Sequence, residues 1–245
     1  MSTFILVHGA WLDASCWTPV AERLRTAGHR VVAPDLPGHG ADNTPLAGQT
    51  LDGYVERVLR DVERAGEPVI LVGHSMAGVV ISAVAERAPE RVRHLVYVAA
   101  YLLGDGESIR EQQDPESRVP AAMRPAADWS TVSLDPVQLP ALFFHDVAPE
   151  VAAPWVAASS AEATAPLGTP VHVTEGRWGR VPRAYVHTRH DRAVTASLQE
   201  RFLAARPCHP VWVMETGHAP FAAAPAILAS HLTALAAPEQ GAAGS

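Results

Sequence analysis

Ten residues constrain this chain more than any other stretch: Val69-Ile70-Leu71-Val72-Gly73-His74-Ser75-Met76-Ala77-Gly78. Four apolar residues run into Gly-x-Ser, and Val79, Val80, Ile81, Ala83 and Val84 follow at the density of a buried helix. The pattern predicts a strand, a sharp turn and a helix. A strand that reverses into a helix within one residue forces that residue into strained backbone, so the positions two before and two after it must be small. Gly73 and Ala77 stand there. Such a turn lifts the Ser75 hydroxyl above the sheet edge, and the helix start aims free backbone N–H groups, Met76 among them, at whatever Ser75 attacks. Gly-x-Ser-x-small alone arises by chance in many chains; the strand before it and the helix after it give it meaning.

The same alternation recurs on both sides. Phe4 to Val7 reads as a strand, Ser15 to Ala27 as a helix stopped by Gly28, and His29 to Pro34 as a strand. Leu51 to Ala65 is a helix with Tyr54, Val55, Val58, Leu59 and Val62 on one face, and Arg91 to Ala99 is another strand. The order then resumes late in the chain, with a strand at Arg183 to His187, a helix at Ala196 to Ala205, a strand at Val211 to Met214 and a helix from about Ala224 to Ala236. This predicts an α/β fold with a mostly parallel central sheet and helices on both faces. The expected core is 1–101 with 181–237, and 238–245 reads as a frayed tail.

Between Leu102 and Arg180 the alternation is lost, apart from helical patches near Leu142 to Val147 and Glu150 to Ser160. So long an insertion in a compact domain reads as a functional cap, 102–180. Trp129, Phe143, Phe144, Trp155 and Trp178 would line an apolar wall over a substrate, with Gly9 and Trp11 on the loop after the first strand. The competing reading is that each aromatic only glues the cap to the body.

Composition removes several chemistries. The chain has no lysine, which excludes Schiff bases and a Walker-type phosphate loop. With a net charge of −7 and no basic tract, nucleic acid and anionic membrane surfaces are poor partners. No apolar run is long enough to cross a bilayer, and Met1-Ser2-Thr3 leads into Phe4 without a basic n-region, so a cytoplasmic location is expected. Cys16 and Cys208 form neither a CxxC nor a ligand cluster, so no metal or disulfide framework is expected. The expected partner is a small-molecule substrate, and a homodimer is left open.

A serine nucleophile needs a base, and the base needs an orienting acid. Among twelve histidines, His218 follows a strand and Glu215-Thr216-Gly217, which puts it on a loop at the carboxyl edge of the sheet, where Ser75 also sits. Asp191 follows another strand and gives the chain order Ser, Asp, His, with Asp105 as its rival. His187, His190 and Asp191 suggest a metal only weakly, because adjacent strand residues face opposite ways. The backbone N–H of Ala10 is the expected partner of the Met76 N–H in an oxyanion hole. His8 and His74 read as supporting groups, and His145-Asp146 as a remote second dyad.

These pieces resemble the α/β-hydrolase family over almost the whole chain: His8-Gly9-Ala10, Asp35-Leu36-Pro37-Gly38-His39-Gly40, Gly73 to Gly78, Asp191 and Gly217-His218. The start on Phe4 to Ala10, Ala27-Gly28-His29-Arg30-Val31 and Phe143-Phe144-His145-Asp146 look like the branch of plant methylesterases, hydroxynitrile lyases and their bacterial relatives. The resemblance implies a Ser75, His218, Asp191 triad, an oxyanion hole at Ala10 and Met76, and no cofactor. The chain departs from the family at Ala77, where glycine is usual. Lyases of that branch carry Thr where Gly9 stands and Lys where Ala219 stands, so hydrolysis of a small carboxylic ester or thioester is the expected chemistry. The alternatives are a metabolite-tailoring enzyme performing elimination, cyclisation or lactone opening, and a non-catalytic binding protein.

Overall fold

The computed structural model describes residues 1–236. In chain order the first half holds β1 (Thr3–Val7), α1 (Thr18–Thr26), β2 (Arg30–Val32), α2 (Leu51–Arg64), β3 (Val69–His74), α3 (Ala77–Arg87) and β4 (Val92–Val98). The inserted segment holds α4 (Val119–Ala122), β5 (Met123–Pro125), β6 (Thr131–Leu134), α5 (Leu139–Phe143), α6 (Pro149–Ala158), β7 (Glu162–Ala163) and α7 (Thr164–Gly168). The chain then returns through β8 (Arg183–Thr188), α8 (Ala196–Ala205), β9 (Val211–Met214), α9 (Pro220–Ala223) and α10 (Pro225–Ala236). The expected tail at 238–245, and residue 237, lie outside the described residues.

Six strands form one sheet in the order β2-β1-β3-β4-β8-β9, and every pairing is parallel. Phe4 sits opposite Ile70, Leu71 opposite Leu95, and Tyr97 opposite Tyr185. β1, β3 and the second half of β4 are fully buried, which is why they read as continuous apolar runs rather than as alternation. α1 packs on α10, and α2 on α3. Because parallel crossovers are right-handed, and β1 to β2 runs opposite to β2 to β3, these two helix pairs cover opposite faces. The strand order reverses between β1 and β3, so the crevice at their carboxyl ends is where a ligand belongs.

The structure differs from the sequence pattern in two places. The helix expected from Ser15 to Ala27 is split: a 3-10 turn at Ala14–Trp17, capped by Asp13 accepting from the Ser15 N–H, precedes α1, whose Pro19 suits a first turn. In the insertion, β5, β6 and β7 pair into a small antiparallel sheet that the sequence pattern did not announce. Strands of two to four residues are too short for an alternation signal. α5 begins at Leu139, earlier than the patch expected near Leu142, with Pro140 in its first turn. Among the described residues, no helix is long and apolar enough to cross a membrane.

Candidate active site

The β1 loop is fixed first. His8 is buried, its Nδ1–H donates to the Gly9 carbonyl at 2.9 Å, and its Nε2 accepts the Leu36 N–H at 3.0 Å. Burial, together with the neighbouring His39, lowers its pKa to about 4, so the ring is a neutral strut. Gly9 has no room for a side chain: a Cβ would lie 2.8 Å from His74 Nδ1 and 2.9 Å from Ser75 Cβ. Trp11 takes φ 63°, and its indole N–H donates to the Val132 carbonyl of β6 at 2.9 Å, tying the loop to the insertion.

At the end of β3, Ser75 adopts φ 53°. Its N–H donates to the Val98 carbonyl at 3.2 Å, and its own carbonyl accepts from Gly78 and Tyr101, each at 3.1 Å. Position 73 must be glycine, because a Cβ would lie 2.7 Å from the Ala77 carbonyl oxygen. Ala77 itself is buried in the first turn of α3. Neither the Ala10 nor the Met76 N–H is spent on another described residue.

On the β9 loop, His218 is wholly buried, with Nδ1 2.8 Å from Asp191 Oδ2. A carboxylate only accepts, so Nδ1 carries the proton and Nε2 is the basic nitrogen. Nε2 is buried and has no hydrogen-bond partner among the described residues, Ser75 included. The His218 carbonyl accepts from His74 Nε2–H at 2.8 Å, which joins the residue before the serine to the base loop. Burial, then the nearby His218, holds the His74 pKa well below its ordinary value. Asp191 follows β8, and its carboxylate also accepts from the Ala193 N–H at 2.8 Å, the Val194 N–H at 3.0 Å, the Thr188 hydroxyl at 3.0 Å and Gln199 Nε2 at 3.4 Å.

Asp105 is elsewhere: it faces His172 at 3.2 Å on the surface. His187 and His190 also part company, towards Glu200 and Glu215 respectively. His145 and Asp146 do not bond to each other; Asp146 Oδ2 instead accepts the Gly217 N–H at 2.6 Å. Gln199, Thr188 and Phe221 join the site without having been expected.

Of the aromatics, Phe143 lies 4.7 Å from the His218 ring and 6.1 Å from Trp11, and Phe144 stacks on Trp155 at 6.0 Å, centroid to centroid. Trp155 continues through Phe221 to Trp17. Trp129 is not in this wall, being 69 % exposed in the turn between β5 and β6. Trp178 is not in it either: its indole N–H donates to the Tyr97 hydroxyl at 2.9 Å, and Arg183 lies over its ring. Ser75 is only 7 % exposed.

The profile of the alpha/beta hydrolase family matches residues 4–231. A pyrethroid hydrolase from Sphingobium wenxiniae is 31% identical over 241 residues, 94% of this chain and 85% of that protein. Putative methylesterase 11, chloroplastic, from Arabidopsis thaliana is 29% identical over 239 residues, which are 92% of this chain and 61% of that protein, so the chain matches less than two-thirds of its length. The crystal structure of a pyrethroid hydrolase superposes with a TM-score of 0.84 at 28% identity, over 98% of this chain and 99% of that one. Polyneuridine aldehyde esterase superposes at 0.85 and 21% identity over 97% and 100%, a likeness of fold alone. With the profile running from β1 into α10 across every loop described above, the chain belongs to the alpha/beta hydrolase family.

Proposed function

We propose that the chain is a serine hydrolase of small carboxylic esters, with Ser75 as nucleophile, His218 as base and Asp191 as the acid that orients it. One observation carries the reading: His218 Nδ1–H donates to a carboxylate that accepts five hydrogen bonds, and its Nε2 is left bare and buried among the described residues, on the loop bonded to the residue before Ser75. A bare basic nitrogen in an apolar setting is what a hydroxyl proton needs, and its contact with the nucleophile commonly tightens only once substrate is bound. Ser75 Oγ attacks the ester carbonyl and its proton passes to Nε2. The oxyanion is received by the Ala10 and Met76 N–H groups, which have no competing acceptor among the described residues. Nε2–H then protonates the departing alcohol, and water cleaves the acyl-enzyme by the same route in reverse.

The wall of Trp11, Phe143, Phe144 and Trp155 favours an ester with an apolar, aromatic-sized acyl or alcohol part, and the insertion acts as its lid. Relatives named for methyl esters and for pyrethroids fit such a pocket. Ser75→Ala is expected to lower p-nitrophenyl acetate turnover by at least about 10⁴-fold and to abolish labelling by a fluorophosphonate. Wild-type turnover in that variant would take the nucleophile's role from Ser75.

A further inference from the structure

The His218 loop is held from outside the sheet by a group that the chemistry above does not use. Gly217 is buried, and its N–H donates to Asp146 Oδ2 at 2.6 Å across 71 residues of sequence. Among the described residues nothing else accepts that N–H. Gly217 fits only as glycine, since a Cβ would lie 2.5 Å from His145 Cε1 and 2.8 Å from Asp146 Oδ1. The same short stretch places the Phe143 ring 4.7 Å from the His218 ring. It also gives the Ala141 carbonyl to Arg192 Nη1 at 2.9 Å, beside Asp191. Residues 141–146 therefore touch both the loop of the base and the loop of the acid. Ser75 itself is 7 % exposed, and His218 is not exposed at all.

We propose that Asp146 is a positioning residue: its carboxylate, seated on the Gly217 N–H, holds the loop that carries His218 in the register its reaction with Ser75 needs. The proposal rests on the reading of Ser75 and His218 as nucleophile and base. Its physical reason is local. Asp146 is itself exposed, so without it the N–H one residue from the base loses the one acceptor it has among the described residues and is left to solvent, and the peptide is freer to turn, while Asp191 and His74 still hold the ring and carbonyl of His218. The base is then displaced, not lost.

The test compares the full chain with Asp146→Ala and Asp146→Asn, reading p-nitrophenyl acetate kinetics and the rate at which a fluorophosphonate labels Ser75. Asp146→Ala is expected to lower kcat and the labelling rate together by about 10- to 100-fold, as a misplaced catalytic group does, with KM nearly unchanged. Asp146→Asn keeps an acceptor oxygen for Gly217 and is expected to restore most of both rates. Wild-type rates in Asp146→Ala would overturn the proposal, and so would equal losses in the two variants, because the hydrogen bond would then not be the cause. Should Asp146→Ala not fold, Gly217→Ala separates the same two groups sterically; the same loss of kcat supports the proposal and full activity overturns it. Wild-type protein that neither takes the label nor turns over the ester overturns the reading of Ser75, and the role of Asp146 with it.

Discussion

Ser75 holds a backbone conformation that serine adopts only when its surroundings impose it. At φ 53° it costs about 1–3 kcal/mol, and three backbone hydrogen bonds, to Val98, Gly78 and Tyr101, hold it there. The strain keeps the side chain at the tip of the turn, clear of the sheet. Gly9 is the other half of this arrangement, because the β1 loop passes close enough for a single methyl group to collide with both His74 and Ser75. Gly9→Ala is therefore expected to destabilise the fold by about 1–3 kcal/mol, the usual cost of overpacking, and to lower kcat/KM by displacing Ser75, the proposed nucleophile. Thermal unfolding and an ester assay on the same preparation check it. A variant with unchanged melting temperature and activity would show that the loop has slack which the distances do not suggest.

The element that fixes the proposed acid, Asp191, is α8, through Gln199. Gln199 is fully buried; its Oε1 accepts the Thr188 N–H at 3.0 Å, and its Nε2 donates to the Val194 carbonyl at 2.7 Å and the Thr188 hydroxyl at 3.0 Å. It thus braces both ends of the loop that carries Asp191. Gln199→Ala strands a buried N–H and a buried carbonyl, and is expected to cost about 1–3 kcal/mol in urea unfolding, with a smaller fall in kcat. This brace also marks the limit of what sequence shows. Ser75, Asp191 and His218 are legible because each follows an apolar run that reads as a strand, and parallel strands deliver their following loops to one edge. Gln199 in an amphipathic helix looks like a residue of the wet face, and nothing local reveals that it turns inward. The aromatics of the insertion fail for a similar reason. Phe143 and Trp129 have the same appetite for burial, yet one lies against His218 and the other projects into solvent. The short strands that decide this carry no periodicity.

Across the whole molecule, the insertion is joined to the sheet by a buried ion pair, and its consequences extend to the serine. Glu162 on β7 and His39 on the loop after β2 meet at 3.2 Å with both side chains inaccessible. The same carboxylate accepts the Tyr54 hydroxyl of α2 at 2.6 Å and the Ala163 N–H at 2.9 Å. β7 pairs with β6, and β6 receives the Trp11 indole from the β1 loop, so this clasp and the proposed oxyanion loop share one small sheet. Burial disfavours the His39 cation, but the Glu162 carboxylate 3.2 Å away outweighs it, and the His39 pKa is raised above its ordinary value of about 6.5. A group with a raised folded pKa contributes stability that is fully present below the unfolded value and is lost as pH rises through the folded one. The other titratable groups around the pair do not blur this window: His8 is neutral, near 4, and burial pushes the Tyr54 phenol far above its usual range. Glu162→Gln keeps an acceptor for Tyr54 and removes the charge. It is expected to destabilise the protein by about 3 kcal/mol at pH 6, where a buried pair is broken, and by progressively less as the pH rises through the raised pKa of wild-type His39. Urea unfolding of both chains at intervals between pH 6 and 9 measures the difference directly. A difference that stays flat across that range would mean that His39 and Glu162 meet without charge, and that hydrogen bonds to Tyr54 and Ala163 alone hold the insertion down.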